Sequence, residues 1–131
     1  MSVKIAIAHE TELNDLILEG MTFDCPEWVD WASLTLGDLE SIMYGGCESG
    51  AYMPAVTYHE ARETMSIHGD AVLEYIEDAL GELPAIEKGM SWSGMACFYL
   101  SYAVQLWADS TANQICEEHP EARTEVFSRV I

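Results

Sequence analysis

The sequence predicts an all-α protein: a compact single-domain helical bundle over residues 1–131, built around one long buried helix at about 93–116. Three observations point there. Apolar residues recur at three- and four-residue intervals through most of the chain. Helix-opening residues (Thr35, Thr57, Asp70, Ser91) and helix-closing glycines punctuate it regularly. From Gly89 to Ala108 there is no formal charge, which suits a helix covered on most of its circumference.

Taken in order, Val3, Ile5 and Ile7 alternate with Lys4 and Ala6, as in a short N-terminal strand. A helix running on through Leu13, Leu16 and Ile17 fits the same residues and is preferred. Pro26 occupies a first helical position ahead of Glu27-Trp28-Val29-Asp30-Trp31. Thr35 with Asp38 resembles an N-terminal cap before Leu39, Ile42 and Met43, and Gly45-Gly46 stops that helix. Thr57 and Glu60 form a capping box, in which the hydroxyl takes an amide of the first turn and the carboxylate returns to the cap. The helix they open presents Tyr58, Ala61, Met65 and His68 on one side and ends at Gly69. Asp70 caps a further helix, with Val72, Leu73, Ile76, Ala79 and Leu80 at amphipathic spacing, closed by Gly81 and Pro84. Leu83 to Met90 reads as loop. Ser91 or Ser93 opens the long helix, whose narrow polar stripe is Ser101, Gln105 and Asp109. Pro120 starts a short last helix presenting Val126, Phe127 and Val130.

Composition bounds the function. There are 23 Asp and Glu against 5 Lys and Arg, a formal charge of −18, while half of the residues are hydrophobic. A disordered acidic tail has too few apolar residues to match this. Direct binding of nucleic acid needs a basic face, as does binding to an anionic membrane surface, and neither is expected. Met1 to Ala8 has no long apolar core and does not read as a signal peptide. The chain is therefore expected in the cytoplasm, with Cys25, Cys47, Cys97 and Cys116 as reduced thiols serving as small core residues. Their spacing fits no zinc knuckle.

The charge is also segregated. From Ile5 to Ala61 there are 11 carboxylates and no Lys or Arg, and from Glu63 to Glu87 seven more without a base. Acidic surfaces usually intersperse both signs one helical turn apart. Here the self-repulsion is left standing, at a cost to the compact state. Glu12, Asp15 and Glu19 step by three and four, a column spaced by about 5 Å per turn if helical. Glu74, Glu77 and Asp78 do the same opposite Val72, Leu73 and Ile76, and Glu40 joins them as a candidate contact. Duplex DNA carries one charge per ~1.7 Å of axis, so eighteen negatives equal roughly 30 Å of duplex. Solubility or a saline habitat would explain the charge equally simply, although the core inventory of Trp28, Trp31, Trp92 and Trp107 is not the reduced one of a halophile.

Chemistry-bearing residues are sparse. His59 and Glu63 lie one turn apart beside Glu60, two metal ligands without a visible third. His68 falls at a helix C-terminus, where an imidazolium suits the dipole. His9 and His119 sit near helix ends. Cys47 and Ser49 lie in a glycine-rich turn, but Glu48 opposes a thiolate and no Lys follows to make a phosphate loop. No metal, cofactor or catalytic residue is expected, and the chain reads as a non-enzyme.

The run Gly46-Cys47-Glu48-Ser49-Gly50, then Tyr58, His68-Gly69-Asp70, Gly81-Glu82-Leu83-Pro84 and a long aromatic helix, resembles a family of short acidic phage and prophage proteins of unknown function that share a Gly-Cys-x-Ser-Gly turn. The likeness spans roughly Asp38 to Trp107. It departs at Phe98-Tyr99-Leu100-Ser101-Tyr102, where the family carries an acidic pair, so no site is carried over onto that helix. The resemblance implies a mobile-element origin, and small acidic phage proteins are often anti-CRISPR or anti-restriction factors. The expectation is thus an inhibitor that binds the basic surface of a host nucleic-acid-binding defence protein, with Glu12, Asp15, Glu19, Glu40, Glu74, Glu77 and Asp78 standing in for phosphates. The alternatives are an interaction module anchored by exposed Trp28, Trp31, Met43 or Tyr52, and a small metal- or thiol-dependent enzyme.

Overall fold

A computed structural model describes residues 7–45, 58–86 and 88–127. Its elements are five helices: α1 (Leu13–Leu18), α2 (Leu36–Gly45), α3 (Tyr58–Leu80), α4 (Trp92–Glu118) and α5 (Ala122–Glu125). Among the described residues there is no strand beyond one antiparallel bridge, Glu12 with Thr35. The all-α class is as the sequence predicts, and α4 is the long helix expected at about 93–116. Two units make up the chain, Met1–Tyr44 with Ala108–Ile131 and Gly45–Trp107, so α4 supplies residues to both.

In the first unit, the described residues ahead of Leu13 are not helical, unlike the helix preferred above. Ile7 to Glu12 is not helical, because its backbone groups are taken by the segment ahead of α2. Leu36 N–H donates to the Thr11 carbonyl at 2.8 Å, Leu13 N–H to the Leu34 carbonyl at 3.0 Å, and Gly37 N–H to the His9 carbonyl at 2.8 Å. Residues 1–6, and with them most of the alternative strand, lie outside the described residues. Gly20 ends α1 at φ +106°, with Met21 N–H reaching the Leu16 carbonyl and Gly20 N–H that of Ile17. This is a left-handed C-terminal cap, for which glycine is the suited residue.

No helix follows Pro26. Residues 26–31 form turns, with Val29 N–H on the Pro26 carbonyl, and Trp28 and Val29 are buried there. The cap of α2 is as predicted: Asp38 N–H donates to Thr35 Oγ1 at 3.1 Å and Thr35 N–H to Asp38 Oδ2 at 3.0 Å. Leu13, Leu16, Leu36, Leu39, Ala108, Ala112, Ile115, Ala122 and Phe127 are fully buried in this unit. Among the described residues of the last helix, Ala122–Glu125 is helical, and Val126 and Phe127 after it are core residues.

The second unit corrects the sequence reading most. Gly69 does not end a helix and Asp70 does not open one: α3 runs unbroken for 23 residues, about 34 Å. A helix-interior glycine costs roughly 1 kcal/mol relative to alanine. Buried anchors on both sides, Ala61 and Met65 before it and Val72 and Ile76 after it, outweigh that cost. His68 is accordingly a half-buried mid-helix residue with no helix end to cap. Thr57, and so its capping box with Glu60, lies outside the described residues. Gly81 closes α3 at φ +85°, its N–H on the Glu77 carbonyl.

Ser91 caps α4, its Oγ accepting from Gly94 N–H at 3.1 Å. Tyr99 hydroxyl donates to the Pro84 carbonyl, tying the preceding loop to the helix. The expected polar stripe of α4 is not solvated throughout. Ser101 is fully buried, because its hydroxyl bonds back to the Cys97 and Phe98 carbonyls and needs no water.

Candidate functional site: the outer face of α3

The continuity of α3 decides where its charges lie. At 3.6 residues per turn, Glu60, Glu63, Asp70, Glu74, Glu77 and Asp78 all fall within about 100° of arc. Ala61, Met65, Val72 and Ile76 fall opposite and are buried. All six carboxylate residues are exposed. They span 19 residues, 18 helical rises or roughly 27 Å along the axis. Arg62 is the one Lys or Arg of the helix and lies to the side of this arc. Asp70, Glu74, Glu77 and Asp78 have no cationic side chain in ion-pair contact among the described residues. Glu63 meets His59 at 3.1 Å, one turn back.

Glu74, Glu77 and Asp78 are therefore three of six carboxylates on one exposed face. Glu60, Glu63 and Asp70 were missed by sequence reasoning, because a helix break at Gly69 hid the common stripe. Glu12, Asp15, Glu19 and Glu40 belong to the first unit. Glu12 is the N-cap of α1, in extended conformation, with no side-chain capping bond. Asp15 and Glu19 are half-buried and one turn apart, and the Glu19 N–H donates to the Asp15 carbonyl. Glu40 contacts His9 Nε2 at 3.3 Å. That unit also exposes Glu10, Asp24, Glu27, Asp30, Glu117, Glu118, Glu121 and Glu125, so acidity extends well beyond the stripe.

Between Glu63 and Asp70 the stripe is interrupted by Ile67, whose side chain is 75% exposed. Beside it opens a groove of about 510 Å³ lined by His59, Arg62, Glu63, Ser66, Ile67 and Trp92. Trp92, expected in the core, is 47% exposed at the start of α4. The apolar anchors considered above are placed differently: Trp28 and Met43 are buried and Trp31 is half-buried. Tyr52 lies outside the described residues.

Among the described residues no group of three His, Cys, Asp or Glu is arranged to hold a metal ion, and His59 with Glu63 is an exposed side-chain contact one helical turn apart. His119 Nδ1 contacts Glu121 at 3.4 Å. Cys25 is exposed rather than a core residue, and its thiol donates to the Phe23 carbonyl. Burial first, then the Asp24 carboxylate, pushes its pKa up. Cys116 is buried, which pushes its thiol up against the opposing pull of Arg123. The turn holding Cys47 and Ser49 lies outside the described residues. Among those described, no helix is long and apolar enough to cross a membrane. No family model, curated protein or solved structure matches this chain.

Proposed function

We propose that this chain is a non-enzymatic inhibitor of mobile-element origin, acting in the cytoplasm of a bacterial host. It is an inhibitor of anti-CRISPR or anti-restriction type: its target is the basic nucleic-acid-binding surface of a host defence protein, and it acts by imitating DNA or RNA. The observation that carries the reading is the exposed face of α3, where six carboxylates run for roughly 27 Å. That is a mean separation of about 5 Å, against an axial ~3.4 Å per phosphate on one strand and ~1.7 Å per charge on duplex. The stripe thus comes closer to a single strand than to a duplex.

Repulsion among aligned carboxylates lowers fold stability, and a partner's Lys and Arg would relieve it on binding. Complementary fields would also steer association and raise its rate. The test is the pair Glu74→Lys with Asp78→Lys. Binding to the captured partner should weaken by at least tenfold at low salt, with the fold retained, and wild-type binding should fall as salt rises. A double variant that binds as well as wild type would remove α3 as the contact.

A further inference from the structure

The interruption of the acidic stripe has its own chemistry. Ile67 and Trp92 are exposed apolar side chains on one groove, and Glu63 and Arg62 line the same space. Glu60 and Asp70 flank it one or two turns away along α3. Resting on the proposed mimicry of a polynucleotide, we infer that this groove is an anchor for one arginine side chain of the basic partner. The guanidinium lies on the Trp92 indole, its aliphatic stem on Ile67, and its N–H groups reach the Glu63 carboxylate.

Three features select that occupant. A charged plane over an indole face is favoured by the ring's quadrupole, and arginine is the cation most often found there. The stem covers apolar surface while the head keeps its polar contacts. The fork of N–H donors matches a carboxylate, which the single ammonium of lysine cannot do in two directions. Charge complementarity with the stripe excludes an acidic occupant. Proteins that handle single strands combine a basic groove with side chains that stack on bases. A mimic that offers an indole among carboxylates presents both signals to such a surface. Arg62 on the groove wall opposes any cation and so weakens the anchor.

The experiment uses the full chain with two peptides of equal charge, hexa-arginine and hexa-lysine, titrated at low salt. Binding is followed by calorimetry and by the Trp92 indole N–H resonance. Hexa-arginine should bind up to about fivefold tighter than hexa-lysine, the whole exposed cation–π contribution being the upper bound of that ratio. Trp92→Ala should abolish that preference, weakening hexa-arginine more than hexa-lysine. Trp92→Phe should restore part of it, and Arg62→Gln should tighten hexa-arginine. Trp92 is exposed at the first turn of α4, so these variants leave the core intact.

Equal binding of the two peptides, with no effect of Trp92→Ala, overturns the arginine anchor and leaves the acidic reading standing. Failure of either peptide to bind overturns the acidic reading itself. A dimer in sedimentation that Trp92→Ala dissociates assigns the groove to a second copy of this chain, and overturns the anchor as well.

Discussion

Glu74 sits among the closely spaced carboxylates in the C-terminal half of the α3 stripe, and its neutralisation has an unusual expected sign. Asp70 lies four residues before it, Glu77 three after and Asp78 four after. Each like-charge pair at these spacings destabilises a helix by roughly 0.2–0.5 kcal/mol. Glu74→Gln removes three such pairs and should stabilise the protein by about 1 kcal/mol at low salt. Glu74→Lys converts the repulsions into attractions and should gain up to roughly twice that. Intrinsic propensity does not confound the comparison, since Glu, Gln and Lys are near-equal helix formers. Position 74 is also more than a turn from either end of α3, where the helix dipole would matter. Urea unfolding at about 20 mM and 1 M salt measures the effect. At 1 M the screening length is about 3 Å, and most of the gain should vanish. The same substitution should weaken partner binding, so stability and function move in opposite directions. A Glu74→Gln protein no more stable than wild type at low salt would refute the premise that these carboxylates crowd one face.

Gly69→Ala should stabilise by about 0.5–1 kcal/mol, because the new methyl meets only the Met65 side chain at 3.9 Å; a thermal melt checks this, and a lower Tm would mean α3 needs a hinge there. Gly37→Ala should cost roughly 1–3 kcal/mol, since its Cβ would stand 3.2 Å from the His9 carbonyl oxygen and 3.3 Å from His9 Cβ; unchanged urea stability would show that the segment before α1 yields freely. Thr35→Ala should cost about 1 kcal/mol through loss of the α2 cap, with Asp38→Ala adding less than its single effect if the two act as one box. Thiol labelling should find Cys25 reactive in the native state and Cys116 only on unfolding. Because its pKa is raised, the Cys25 rate should still climb above pH 9, and Asp24→Asn should move that profile to lower pH.

What the residues disclosed, and what they hid, follows from range. The Thr35–Asp38 cap, the Ser91 start of α4 and the Gly81 stop are local bonding patterns, complete within a few residues, and all were readable. The non-helical path from Ile7 to Glu12 was not, because the His9 and Thr11 carbonyls accept from Gly37 and Leu36, some 25 residues away. Ser101 looked solvated because hydroxyls usually are, yet a serine within a helix can satisfy itself on the preceding turn. Gly69-Asp70 carried the costliest ambiguity: a glycine followed by a capping residue is the ordinary punctuation between helices. Only the burial of Met65 and Val72 on one continuous face shows that tertiary packing overrode it. Reading through that pair is what brings Glu60, Glu63 and Asp70 into line with Glu74, Glu77 and Asp78. The groove beside Ile67 had no sequence signal, since Trp92 is 25 residues further along and tryptophan is ordinarily well covered.

The most direct test immobilises wild type and the Glu74→Lys, Asp78→Lys variant side by side, and passes nuclease-treated bacterial lysate over both at low salt before a salt gradient. The wild-type surface should retain basic nucleic-acid-handling proteins that the variant does not. These should elute as salt rises, and free chain should compete with DNA or RNA for them. Identical protein sets from both surfaces, or retained proteins whose nucleic-acid binding the chain leaves untouched, would contradict the imitation of a polynucleotide by α3.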